Sequence, residues 1–282
     1  MTTTEFFQPT TARRPRPRKP NPTLMAGFIV GGIVLAIIVI APFFLPPPNQ
    51  QDLTNILQGP SAQAWLGTDQ LGRDVLSRVV AGMRIDLAIG VCALIVPVIF
   101  GSILGALAAW YRGWLGEVAA VLADVVQAFP YYLFIIVLAF FLGAGVRSIL
   151  IAVAVVAWVS YLRIVRAEVE SVSHRDYITA ALGAGYSDRR ILLRHVLPNV
   201  FKQPLAYAVT DVVVVIVSTA TLSYLGVGIA PPTPELGALI ADGQQYVTLR
   251  PLIALSPGLA VILIGAALSL LGHGFSEQLD ES

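Results

Sequence analysis

Two aspartates, Asp124 and Asp211, stand inside long apolar runs. An ionised carboxylate at the centre of a bilayer costs about 2.5–3.5 kcal/mol or more, so one that persists there faces a partner, a wet cavity or a cation. Asp124 is expected near a membrane–water interface, where that cost falls. Asp211 is expected in a translocation path or at a subunit interface. The other chemistry-bearing side chains are sparse. His174, His195 and His273 lie too far apart for metal-ligand spacing. Cys92 is the single cysteine, so neither an internal disulfide nor a Cys-based zinc site is available. The two lysines, Lys19 and Lys202, do not follow glycines, which excludes a G-x-x-x-x-G-K-[ST] phosphate loop. No Ser–His–Asp or paired-carboxylate arrangement stands out.

The elements around these residues are apolar helices. The chain has 282 residues, of which 56% are hydrophobic and 12% charged, against about 25% charged in an ordinary soluble domain. About 20 apolar residues in a helix cross a bilayer with every backbone polar group satisfied. Six runs qualify: residues 24–45, 87–111, 118–142, 148–165, 205–225 and 252–271. The third is interrupted by Asp124, Gln127 and Pro130, where a proline kink is expected. Placing the amino terminus inside puts thirteen Lys and Arg on the cytoplasmic side and five outside, so both termini are expected in the cytoplasm. Residues 1–23, with "RRPRPRKPNP", read as a basic, Pro-rich cytoplasmic tail. The run after it is too long for a cleaved signal peptide and reads as an anchor. Residues 46–83 are expected outside as a segment leading into a core at 84–273, with 274–282 as a cytoplasmic tail. Gly101 and Gly105 form a G-x-x-x-G, a helix-packing pattern in membranes.

One cytoplasmic stretch, "HRDYITAALGAGYSDRRILLRHVLPNV" (174–200), is polar enough to dock a partner. Tyr177, Ala180, Ala181 and Ala184 recur at helical spacing and make a face of small residues beside one tyrosine. Gly185 is placed to end this helix. Ser187 and Asp188 are N-cap residues for a second, and Pro198 is expected to stop it. The segment is pinned between spans and too short to bury its own core, so a nucleic-acid-binding helix–turn–helix does not fit.

"AALGAGYSDRRILLRHVLP" resembles the cytoplasmic signature of permease subunits of ATP-binding-cassette importers. It reads Ala180-Ala181, three residues, Gly185, nine residues, then His195-x-Leu197-Pro198. "LGTDQLGRDVLSRVVAGMRIDLAIG" (66–90), "DVVQAFPYYL" (124–133) and "LSYLGVGIAPPTPELGALIADGQQY" (222–246) resemble the dipeptide/oligopeptide/nickel branch of that family. Two departures are visible: Thr179 replaces the usual Glu before the alanines, with Asp176 one turn earlier, and His273 stands where an acidic residue is common. The resemblance implies an all-α membrane protein of the type I importer fold, with six spans and a coupling helix between the fourth and fifth. It implies that Asp176, Tyr177, Ala180, Ala181, Gly185, His195, Leu197 and Pro198 form the docking element. It implies as partners a second related permease subunit, two ATPase subunits that bind the ATP and Mg, and an extracytoplasmic peptide-binding protein. The chain itself is then expected to be non-catalytic, without a cofactor and without a nucleic-acid partner. Nickel or another small solute is the alternative cargo. A secondary transporter with Asp124 or Asp211 as its ion site, and a scaffold without transport activity, are the competing readings from other classes.

Overall fold

The computed structural model describes residues 21–111 and 113–280. Most of the expected basic tail, residues 1–20, lies outside them. Asn21 caps the first helix, α1 (Pro22–Ile40), its side chain accepting from the Thr23 and Leu24 amides. A 3-10 turn (Ala41–Phe43) ends it. The long helix α2 spans Val75–Tyr111, α3 Trp114–Ala128, α4 Tyr131–Leu142 and α5 Val146–Ser173. The short helices α6 (Asp176–Gly183), α7 (Asp188–Ile191) and α8 (Leu197–Val200) follow, then α9 (Lys202–Tyr224), α10 (Leu236–Gln244) and α11 (Leu252–Asp280). Among the described residues the only β pairing is an isolated bridge between Thr68 and Asp74. Five helices are long and apolar enough to cross a membrane, and six spans result if α3 and α4 count together.

The core forms where α2 crosses α5, with α9 and α11 packed alongside. The G-x-x-x-G is the reason the two helices approach so closely. A Cβ on Gly101 would lie 2.8 Å from Tyr161 Cβ, and one on Gly105 would lie 2.5 Å from the Leu162 carbonyl oxygen, too near for any side chain. Helix α1 lies against α11, and Asn21 Nδ2 donates to Glu277 Oε2 at 2.8 Å, so both ends of the described chain share one face.

The structure adds detail to three expectations. The third run breaks rather than kinks at Pro130: α3 and α4 meet at 87°. Pro130 lacks an N–H and disfavours helix in Phe129, which is extended at ψ 139°, so the helix breaks and restarts. Helix α2 begins nine residues before the expected core boundary at 84, because Asp74 caps it by accepting from the Ser77 amide at 2.7 Å. At about 1.5 Å per residue this helix outruns a bilayer and projects beyond it. Helix α11 runs on to Asp280, so residues 274–280 of the expected cytoplasmic tail are helical.

Candidate functional site

The polar stretch folds as two helices joined by a tight turn. Arg175 is the extended N-cap residue of α6, and Asp176 lies in its first turn, where a negative charge suits the exposed amides. The helix ends in a Schellman motif. The Tyr186 amide donates to the Ala181 carbonyl at 3.2 Å and the Gly185 amide to the Leu182 carbonyl at 3.0 Å, with Gly185 at φ +78°. Gly185 therefore ends the helix as expected, and its backbone is one that residues with a Cβ rarely adopt. Ser187 takes the N-cap position of α7 with extended backbone but makes no side-chain cap bond.

The faces of α6 divide more finely than helical spacing implied. Tyr177, Ala180 and Ala184 are exposed, whereas Ala181 is turned inward at 7% exposure. Ala181 and Ile178 pack into a cluster with Val165, Val169 and Val172 of α5 and Ile191, Leu192 and Val196 beyond the turn. Ala106 and Ala109 at the end of α2 join the same cluster. This joins α6 rigidly to the ends of two long helices.

The signature's second half braces the turn. The Arg190 guanidinium lies 4.3 Å from the centre of the Tyr186 ring, a cation–π contact. The His195 ring sits 6.1 Å from the same ring. Pro198 does not stop the helix. Residues Leu192–Val196 form a π turn, in which the Leu197 amide donates to the Leu192 carbonyl, and helix resumes through Pro198. The wider turn makes room for a residue without an N–H, and Asn199 Nδ2 donates to the His195 carbonyl at 2.7 Å. His273 caps nothing acidic; its Nδ1 lies 2.8 Å from the Ser269 carbonyl oxygen in its own helix.

Within the spans, Asp211 of α9 is 8% exposed. Tyr161 of α5 donates its hydroxyl to Asp211 Oδ2 at 2.9 Å. The Tyr207 ring, one turn earlier on α9, stands edge-on to Tyr161 with centroids 5.4 Å apart. Asp124 of α3 pairs with Arg163 of α5 at 2.7 Å, both side chains exposed. The α6 residues and Asp211 thus form separate constellations.

Two further charged groups were not singled out by sequence. Asp69 Oδ2 receives both Arg73 Nε at 2.6 Å and Arg78 at 2.7 Å, all three side chains buried. The pairing fastens the segment before α2 to that helix, and burial raises the pKa of nearby Asp242 while Arg73 partly offsets it. Glu235 and Asp86 are both fully buried. Glu235 caps α10 through the Gly237 and Ala238 amides at 2.9 and 2.8 Å, and the Leu236 amide donates to Asp86. Burial pushes the Glu235 carboxyl above its ordinary range. Their signal lay in "MRIDL" and "PELG", which read as motif text until the fold joined them.

Comparison with known proteins gives the same answer from outside the geometry. The family described as "Binding-protein-dependent transport system inner membrane component" matches residues 98–282. The chain is 38% identical over 255 residues to the glutathione transport system permease protein GsiD of Escherichia coli O157:H7, covering 90% of this chain and 84% of that one. It is 34% identical over 250 residues to the GsiD of Pectobacterium atrosepticum, covering 88% and 83%.

Proposed function

The chain belongs to the family of binding-protein-dependent transport system inner membrane components, and on that premise we propose that it carries di- or oligopeptides as half of an ATP-driven importer's pathway. It is an ABC importer permease subunit with several membrane-spanning helices. A second, related permease subunit supplies the other half of the pathway. Two ATPase subunits bind ATP and Mg, and an extracytoplasmic binding protein delivers the solute. Both termini face the cytoplasm. The similarity to glutathione permeases supports a peptide-type cargo over nickel or another small solute.

The observation that carries this reading is the seating of α6. Its exposed face of Tyr177, Ala180 and Ala184 is small enough to enter a cleft on an ATPase subunit. Its buried face, Ile178 and Ala181, is wedged against the ends of α2 and α5. When the ATPases close on ATP, α6 moves as a rigid lever and the spans reorient around the solute. The whole importer, reconstituted with its binding protein, tests this: peptide is expected to stimulate ATP hydrolysis and accumulate in the vesicles. Stimulation by nickel, with none by peptide, would reassign the cargo.

A further inference from the structure

Asp211 is a buried carboxyl without a cationic partner among the described residues. It lies nine residues beyond Lys202, about 14 Å along α9 and well inside the span. One oxygen accepts from Tyr161, and among the described residues no hydrogen bond reaches the other. Aromatic side chains surround it. Tyr161 is fully buried behind it and Tyr207 is 38% exposed beside it. Tyr131, the first residue after the 87° break, packs against the core to which α9 contributes Val212, Val215 and Ile216.

The chemistry of such a site is narrow. Calcium or magnesium needs six or more oxygen ligands, and no cluster of three His, Cys, Asp or Glu side chains that could hold a metal ion exists among the described residues. A guanidinium prefers both oxygens of a carboxylate, and here one is already engaged. A primary ammonium needs one strong acceptor and gains from aromatic surface around it. A pin that merely held α5 to α9 would need only a neutral hydrogen bond, not a carboxylate whose charge costs about 2.5–3.5 kcal/mol in a span.

We infer that Asp211, framed by Tyr161 and Tyr207, receives the protonated amino group of the solute on its way through the membrane. This rests on the peptide reading above and adds a specificity residue to it. The test uses the whole importer in vesicles, with its binding protein and a labelled dipeptide, free or acetylated at its amino terminus. Asp211→Asn keeps the side chain's shape and its bond to Tyr161 but not its charge. The variant is expected to lower the preference for the free over the acetylated peptide by about tenfold or more, the scale of one lost charge contact. Asp211→Glu is expected to keep that preference, and both variants are expected to co-purify with the partner subunits as wild type does. If Asp211→Asn fails to assemble, Tyr207→Leu carries the test, with the preference expected to fall in the same direction. An unchanged preference, with uptake of the free and the acetylated peptide falling equally, would overturn the inference and leave Asp211 as a pin. Wild-type vesicles that take up neither peptide would instead overturn the peptide reading itself.

Discussion

Gly185 holds a backbone conformation that costs a residue with a Cβ about 1–2 kcal/mol. No atom lies within 4 Å of a Cβ built on it, so the cost of replacing it is conformational rather than steric. Gly185→Val is expected to leave the chain in the membrane but to loosen the turn behind α6, so that uptake is lost. Membrane fractionation alongside uptake checks both halves. Ala180 and Ala181 separate docking from packing. Ala180→Trp places a large ring on an exposed face: thermal stability should hold while ATPase subunits fail to co-purify. Ala181→Trp overfills a buried site, which costs about 1–3 kcal/mol, so stability should fall as well. Thr179, on the exposed side, should accept Glu. The turn glycine was legible from the sequence because glycine at a helix end has one dominant physical use. The inward turn of Ala181 was not, because a spacing of three and four residues defines a stripe without saying which edge meets the core. Tyr161 was likewise invisible as the partner of Asp211, fifty residues away, until α5 and α9 came together.

At the scale of elements, hydropathy located the spans and proline located the break, but neither gave the angle between α3 and α4, which depends on what α4 packs against. Helix α10 was hidden for a different reason. It is nine residues long and holds its place through Glu235 and Asp86, carboxylates that a hydropathy window counts only as interruptions. Burial raises Glu235 above its ordinary value of 4.5. The folded state therefore holds that proton more tightly than the unfolded state. The stability this contributes is fully present at pH below 4.5 and is lost as pH rises through the raised value. Hydrogen exchange of the α10 amides, corrected for intrinsic rates, should show protection falling across that window. Glu235→Gln should flatten the pH dependence, since a neutral amide keeps an oxygen for the Gly237 and Ala238 amides; the same slope in both proteins would sink the idea. Removing the cap altogether with Glu235→Ala is expected to cost about 1 kcal/mol.

At the scale of the whole molecule, the buried charged networks among the described residues gather at one end of the bundle and α6, the docking element we propose, lies at the other. Asp69, Arg73 and Arg78 tie the segment before α2 to the far end of that helix, while Ala106 and Ala109 at its near end touch the α6 cluster. One helix of 37 residues thus connects the two ends without an intervening loop. Asp69 offsets one of the two positive charges of Arg73 and Arg78 on the side expected outside. The central claim is that the exposed face of α6 meets an ATPase subunit. Cys92→Ser clears the one native thiol, and Ala180→Cys then places a single reporter on that face, with Asn55→Cys as its counterpart at the opposite end. In membranes holding the complete importer, a short thiol-directed cross-linker should join Ala180→Cys to an ATPase subunit and leave Asn55→Cys free of it. Cross-linking of Asn55→Cys to the ATPase, with none from Ala180→Cys, would contradict both the docking assignment and the orientation of the chain.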